Sequence, residues 1–144
     1  MSVIQLTVFI ENKSGRLLSV TKLLAENNIN VRSMCVADTS EYGLVRFIVD
    51  NPEKAKEVLN KNAISVRSTE IIAIELEDDP GGLSKVLSVF ADKCINIEYL
   101  YAFTGGPAGK AIVGFKVDSD VAQVLEELSE TDLKILHGTD IYNI

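Results

Sequence analysis

Hydrophobic and polar residues alternate along the first part of the chain, over residues 3–11. Because successive side chains of a strand point to opposite faces, this alternation predicts a half-buried β-strand. Gln5 and Thr7 fall on its predicted polar face. The predicted core face is formed by Ile4, Leu6, Val8 and Ile10. Residues 70–77 repeat the alternation, which predicts a second strand of the same kind.

Helical periodicity follows each of these strands after a short turn. The residues at i, i+3, i+4 and i+7 are Leu83, Val86, Leu87 and Phe90, and their counterparts are Leu17, Val20, Thr21 and Leu24. This spacing predicts an amphipathic helix with one face in the core. Asn51 followed by Pro52 is a typical helix start and predicts a further helix, whose counterpart is predicted to start near Ser119.

The remaining hydrophobic patterns are strand-like and come in matched pairs. They cover residues 29–37 and 95–103, 43–50 and 111–118, and 64–66 and 133–136. The order βαββαβ, found twice, predicts an α+β fold of two ferredoxin-like domains, each an antiparallel four-stranded sheet with two helices on one face. The opposite face is also apolar, so we expect part of it to pack on the other copy or on a second subunit. Its residues include Met34, Val36, Ile48, Leu100 and Ile112.

The two halves of the chain are copies of one another. A shift of 66 positions aligns Gly15 with Gly81, and beyond the loop at 38–43 the shift becomes 68. Such self-similarity is the signature of a duplicated folding unit. We therefore predict two domains, at residues 1–68 and 69–144, and we expect any pocket to exist twice or to be built between copies.

The composition excludes several classes of function. The formal net charge is −7 and no run of basic residues occurs, which argues against nucleic-acid binding, because that needs clustered lysine and arginine. The N-terminal residues do not resemble a signal peptide, and no apolar run is long enough to span a membrane. Cys35 and Cys94 show no metal or redox spacing. We therefore expect a cytoplasmic protein with reduced thiols that binds neither nucleic acid nor membrane.

The turn between the first strand and the first helix of each copy is the best candidate for a site. Gly15 and Gly81 permit a tight turn, and the first amides of the following helix lack intrahelical partners. Such amides favour a carboxylate or a phosphate. Asn12 offers both a donor and an acceptor, whereas Asp78 offers only acceptors and would favour an ammonium. Alternatively, Asn12 and Asp78 only satisfy backbone groups of the turn.

These residues resemble the ACT domains, small regulatory modules that bind amino acids and are found attached to metabolic enzymes. The matching segments are Glu11-Asn-Lys-Ser-Gly-Arg-Leu17 and Glu77-Asp-Asp-Pro-Gly-Gly-Leu83, each followed by an amphipathic helix and then by Ile-Asn-Val or Ile-Asn-Ile. The resemblance covers nearly the whole chain as two tandem copies. The first copy departs from the pattern, with Ser14 where proline is usual and Asn12 where aspartate is common.

The resemblance implies an amino-acid ligand at the interface of two ACT modules. The turn of one module would supply backbone amides and the Asn or Asp side chain, and the start of the second strand of its neighbour would supply another polar side chain. The implied ligand-binding residues are Asn12, Lys13, Ser14, Gly15, Arg16, Leu17 and Asn30 in the first copy, and Asp78, Asp79, Gly81, Gly82, Leu83 and Asn96 in the second. Alternatively, Asn30 and Asn96 only shape the turn between helix and strand.

Nothing in the sequence indicates catalysis, a cofactor or a metal. No Cys or His spacing typical of a metal site occurs, and His137, the only histidine, is expected at the surface after the last strand. We therefore predict a non-enzymatic, amino-acid-binding regulatory protein that forms a homodimer or other homo-oligomer and signals to a separate metabolic enzyme. The alternatives are a ligand-free structural or accessory subunit of a biosynthetic enzyme, and a small hydrolase that depends on His137.

Overall fold

The computed structural model describes residues 2–37 and 42–144, so most of the loop predicted at 38–43 lies outside the described residues. The elements in chain order are β1 (Val3–Glu11), α1 (Arg16–Glu26), β2 (Val31–Ala37), β3 (Tyr42–Val49), α2 (Pro52–Lys61), β4 (Val66–Glu77), α3 (Gly82–Asp92), β5 (Ile97–Ala102), β6 (Lys110–Val117), α4 (Val121–Ser129), β7 (Lys134–Leu136) and α5 (Gly138–Tyr142). The order βαββαβ is present twice, with β4 supplying the last strand of the first copy and the first strand of the second.

The chain forms two compact units. We call them the N-terminal unit, Ile4–Thr69, and the C-terminal unit, Glu70–Tyr142, which also includes the residues before Ile4. In the N-terminal unit the strand order is β2-β3-β1, and the Phe9 amide donates to the Ser65 carbonyl at 3.3 Å, next to the start of β4. In the C-terminal unit the order is β5-β6-β4-β7. The β3, β6 and β7 pairings are antiparallel, which confirms the predicted α+β fold.

Each unit has its own hydrophobic core between its helices and one face of its sheet. The N-terminal core joins strand residues such as Leu6 and Phe47 to helix residues such as Leu24 and Leu59. The C-terminal core is equivalent and includes Phe90 and Phe115, whose ring centroids stack 5.0 Å apart. Both predicted helices are therefore confirmed, but Leu83, which was predicted on the core face of α3, is 37% exposed and lies outside the core.

The prediction of a polar outer face for β1 is wrong. Gln5 is 0% exposed and Thr7 is 7% exposed, so both faces of the strand are buried over this stretch. The Gln5 Nε2 atom donates to the Thr7 Oγ1 atom at 3.1 Å, which reduces the cost of burying these polar groups. Part of the apolar second face is buried, as expected, at Ile48 and Ile112. The side chains that remain exposed on that face are Met34, Val36 and Leu100.

Several element boundaries differ from the predictions. The strands predicted at 64–66 and 70–77 are one continuous strand, β4, because no turn residue interrupts the chain between them. The start of α2 is confirmed, since the Asn51 side chain accepts from the Lys54 amide at 3.1 Å. The cap of α4 is Asp120 rather than Ser119. The short helix α5 was not predicted, because five residues are too few for a periodic signal.

Candidate ligand-binding site

The same backbone turn links strand and helix at the start of each unit. We call residues 12–17 the N-terminal corner and residues 78–83 the C-terminal corner. Gly15 and Gly81 lie directly before the helices α1 and α3, with φ angles of 85° and 91°. This left-handed conformation is readily available only to glycine. The expected role of both glycines in the turn is therefore confirmed.

The two helices that begin at the corners have no side-chain cap. Neither α1 nor α3 receives a capping hydrogen bond, whereas α2 and α4 are capped by Asn51 and Asp120. The first bonds of the i to i−4 type run from the Ser19 amide to the Gly15 carbonyl, 3.0 Å, and from Lys85 to Gly81, 3.1 Å. The amides of the residues just before them have no intrahelical acceptor. Each corner thus presents backbone donors at the positive end of a helix dipole.

The N-terminal corner is rich in cations that are held by one carboxylate. Glu11, at the end of β1, is 3.0 Å from the Lys13 ammonium and 3.6 Å from the Arg16 guanidinium. The hydrogen bond from Lys13, followed by the charges of Lys13 and Arg16, lowers the pKa of Glu11 from its usual value of 4.5. Asn12 and Ser14 are exposed, and the Asn12 side chain makes no hydrogen bond to the residues that the structure describes. Both are therefore accessible to a ligand.

The C-terminal corner is acidic and sterically tighter. Asp78 and Asp79 are exposed, and the Asp78 amide donates to the Gly109 carbonyl at 3.0 Å. Gly82 is the first residue of α3, and a Cβ atom at this position would lie 2.1 Å from the Glu77 carbonyl oxygen. The counterpart of Gly82 in the N-terminal corner is Arg16, so only the C-terminal corner requires a glycine here.

Lys110 at the start of β6 contributes a cation beside the C-terminal corner. Its ammonium is hydrogen-bonded to the Glu77 carboxylate. That hydrogen bond is the main cause that raises the pKa of Lys110, and the charges of Glu77, Glu75 and Asp79 act in the same direction. Desolvation opposes the rise. The cation of this corner is thus supplied by another strand and not by the turn.

The predicted residues at the start of the second strands do not meet the corner of their own unit. Asn30 and Asn96 follow the ends of α1 and α3, whereas the corners lie at their beginnings. Since α1 and α3 have 11 residues each, these positions are about 16 Å apart along the helix.

Both asparagines also have a local structural role. The Asn30 amide donates to the Asp50 carboxylate at 3.0 Å, and the Asn96 side chain donates to the Asp118 carboxylate at 3.0 Å. The Asn96 side chain thus has the turn-shaping role, whereas the donor at Asn30 is the backbone N–H, which residues other than asparagine can also supply. If they also bind a ligand together with a corner, that corner belongs to another module.

A cleft of about 550 Å³ lies next to the C-terminal corner, inside the C-terminal unit. It is lined by α3, the end of β4, the start of β6 and the loop before β7, and Gly82 is among its residues. Sequence reasoning missed this cleft, because its charged residues come from four separate segments. The sequence shows clustered charges at only two of these segments, 75–79 and 130–134, whereas Lys85 and Lys110 are isolated.

The remaining candidates for chemistry are not gathered into a site. His137 is exposed directly after β7, as expected, and its amide donates to the Asp140 side chain at 2.8 Å. Cys35 is half-buried and Cys94 exposed, both as free thiols. Among residues 2–37 and 42–144 no group of three or more His, Cys, Asp or Glu side chains could hold a metal ion. In the same residues no helix is long and apolar enough to cross a membrane.

The sequence matches the family described as an ACT domain pair over residues 1–143. The chain belongs to this family. An ACT-pair protein is built from regulatory modules, which favours a non-catalytic role. The resemblance first noted at the two corners is thereby confirmed for the whole chain.

Solved structures resemble this ACT-pair protein to different degrees. A protein from Bacteroides thetaiotaomicron is 36% identical, with a TM-score of 0.92 over 100% of this chain and 98% of its own. The regulatory subunit of aspartate kinase from Thermus thermophilus, in a ligand-free form, is 17% identical and has a TM-score of 0.63. The match covers 90% of this chain and 93% of the subunit. Aspartokinase III from E. coli, in complex with lysine and aspartate, is 19% identical and has a TM-score of 0.53. The match covers 89% of this chain and 31% of the aspartokinase. No curated protein sequence gives a significant match.

Proposed function

We propose that this ACT-pair protein is a regulatory sensor that binds a small amino acid at its corners. The observation that carries the proposal is the absence of a side-chain cap at α1 and α3, in contrast to α2 and α4. A helix start without a cap leaves amide donors for an external acceptor, and a carboxylate is well suited to that place. Asn30 or Asn96 of another ACT module would complete the binding site.

We propose further that the N-terminal corner is the stronger site for the ligand carboxylate. Lys13 and Arg16 add positive charge near the free amides, and the Asn12 side chain can accept from the ligand ammonium. The C-terminal corner carries Asp78 and Asp79, which attract the ammonium but repel the carboxylate. The two corners would therefore differ in affinity.

The signal would be a change in the arrangement of ACT modules. A ligand shifts such an equilibrium only if it binds one arrangement more tightly than the other. The receiver in this proposal is a metabolic enzyme supplied as a separate chain, in keeping with the name of the regulatory subunit from Thermus thermophilus. The homodimer or larger homo-oligomer that we propose is supported by exposed apolar side chains on the edge strand β2, where Met34 is 43% and Val36 is 54% exposed.

Thermal unfolding in the presence of each of the twenty amino acids tests the proposal. A ligand at 100 times its Kd adds about 2.7 kcal/mol to the free energy of unfolding, so the Tm should rise by several degrees. The combined substitution of Asn12→Ala and Asn30→Ala should abolish this rise. Asn60→Ala, an exposed position of α2 that is not among the implied ligand-binding residues, is the control and should keep it.

The competing function is a structural or accessory subunit without a ligand. It predicts that no amino acid raises the Tm, and that a biosynthetic enzyme co-purifies in stoichiometric amount whether or not amino acids are present. A hydrolase would instead show turnover that is lost in His137→Ala. Either result would contradict the sensor proposal.

A further inference from the structure

The cleft of the C-terminal unit has apolar walls between charged ends. Its volume of about 550 Å³ lies inside the range of about 300–1,000 Å³ that is typical of small-molecule sites. The apolar lining is formed by Leu76, Val86, Val89 and Leu133. This combination suits a small ligand with a sizeable apolar part.

Most of the charged groups of the cleft neutralise one another. The Lys134 ammonium lies 2.9 Å from the Glu75 carboxylate, and Lys110 pairs with Glu77. The Glu75 side chain is only 8% exposed, whereas its partner Lys134 is 63% exposed, so the buried carboxylate is paired with a cation at the mouth of the cleft. The four groups together contribute no net charge.

Three charged side chains of the cleft have no partner of this kind. Lys85 on α3, and Glu130 and Asp132 on the loop before β7, line the cleft without an ion pair or side-chain hydrogen bond to the residues that the structure describes. The cation and the two carboxylates come from different walls. A ligand that carries both charges, one towards each wall, would complement them.

The N-terminal unit has no such set of charges at the equivalent positions. The strand register aligns Lys110 with Tyr42, because Glu77 pairs with Lys110 as Glu11 pairs with Tyr42. By the same register, the positions of Glu75 and Lys134 are occupied in the N-terminal unit by Phe9 and Ser65, which carry no charge. Lys85 corresponds to Ser19 at the shift of 66 positions. The charged cleft is therefore a property of the C-terminal unit and not of the duplicated fold.

We infer that this cleft is a second binding site, specific for a zwitterionic α-amino acid with a large apolar side chain. Lys85 binds the ligand carboxylate, and Glu130 and Asp132 bind its ammonium. The side chain lies against Val86, Val89 and Leu133. This site lies within one unit, and its charged contacts are side chains rather than the uncapped amides on which the corner site rests. Gly82 is the residue that the cleft shares with the C-terminal corner.

Isothermal titration calorimetry of the full chain tests this inference. The probes are L-phenylalanine, glycine, N-acetyl-L-phenylalanine and L-phenylalaninamide. L-Phenylalanine should bind, while the acetylated compound, the amide and glycine should each bind at least about tenfold more weakly, since each loses one charge contact or the apolar contact.

Two variants locate the binding in the cleft. Lys85→Glu reverses the charge of the carboxylate partner and should weaken phenylalanine binding by at least about tenfold. Val89→Phe fills the apolar wall without a change in charge and should also weaken binding. Lys22→Glu, which places the same charge change on exposed α1, is the matched control and should leave the affinity unchanged. The Tm of each variant reports whether it is folded.

The outcomes separate this site from the corner site. Binding that is lost in Lys85→Glu but kept both in the Asn12→Ala and Asn30→Ala variant and in an Asp78→Ala and Asn96→Ala variant supports the cleft even if the corner proposal fails. The inference is overturned if phenylalanine does not bind, if both cleft variants bind it as the parent does, or if the amide binds as tightly as the free amino acid. In the last case the cleft would select a cation and not a zwitterion.

Discussion

The two corners have the same backbone but opposite charge. In the N-terminal corner and the residue before it, one carboxylate faces two cations, whereas the C-terminal equivalent contains three carboxylates and no cation. The helix that follows is uncapped in both cases, with glycine in the left-handed conformation before it. The duplication thus preserved the backbone donors, while the side chains around them diverged. Under the proposed function, sites built on these two corners would share a binding mode for a carboxylate and differ in affinity.

A second difference between the corners is steric. Gly82 starts α3 with no room for a side chain, and its equivalent Arg16 starts α1 with its side chain in solvent. The same fold position therefore tolerates a long side chain in one unit and excludes even a methyl group in the other. The C-terminal corner gains a close approach between β4 and α3 at the cost of sequence freedom.

Among the substitutions that test this comparison, Gly82→Ala is expected to have the largest effect, a loss of stability. The added Cβ atom would meet the Glu77 carbonyl oxygen at 2.1 Å, so we expect a loss of about 3 kcal/mol in the free energy of unfolding, despite the better helix propensity of alanine. Arg16→Ala should change it by less than about 0.5 kcal/mol, because it removes only an exposed contact. Urea denaturation measures both. Equal losses would show that the two corners are sterically alike.

A smaller effect, on ligand affinity, is expected when the N-terminal corner is given a charge closer to that of the C-terminal corner. Lys13→Asp together with Arg16→Gly removes both cations of the N-terminal corner and introduces the residues found at Asp79 and Gly82 of its counterpart. The affinity for the amino acid that raises the Tm should fall by about tenfold, through lost attraction for its carboxylate.

A matched control separates the local charge from the total charge. Lys22→Asp together with Lys56→Ala changes the net charge by the same amount at positions of α1 and α2 that lie outside the corner. Calorimetry should find its affinity close to that of the parent protein. If the control loses as much affinity as the exchange, the corners do not differ in the way that their sequences indicate.

The smallest effect concerns the protonation of Glu11. Because Lys13 and Arg16 lower its pKa in the folded state, the ionised group stabilises the fold above the pKa of the unfolded chain, and this contribution is lost as the pH falls through the lowered value. Lys13→Ala should move the Glu11 midpoint upwards, towards its usual value. An NMR titration of the side-chain carboxyl at low salt measures this shift. Lys22→Ala should not alter the midpoint, and an unmoved midpoint in Lys13→Ala would contradict the pairing.

Much of the local structure followed from patterns that act within a few residues. The alternation over β1 and the helical spacing of Leu83, Val86 and Phe90 predicted a strand and a helix. They did so because the spacing of apolar residues along the chain follows the period of the backbone that carries them. The cap at Asn51 was predictable for the same reason, since its bond partner Lys54 is three residues away. The duplicated glycines likewise identified both corners.

The features that sequence reasoning missed depend on residues that are distant in the chain. The burial of Gln5 and Thr7 depends on what covers the second face of β1, and no period in the sequence reports that. The ion pair of Glu75 and Lys134 joins positions 59 residues apart. In the sequence, nothing distinguishes either of these residues from other charged residues, so their pairing could not be predicted.

The sequence by itself determined the duplicated βαββαβ order, the glycine corners and the ACT family. These are encoded by short periods, by single turn residues and by a repeat, all of which can be compared along the chain. Only the tertiary structure decided that α1 and α3 are uncapped, that Gly82 has no space for a side chain and that charged residues of four separate segments line one cleft in the C-terminal unit. The reason is physical. Sterics and charge act between neighbours in space, and the fold chooses those neighbours.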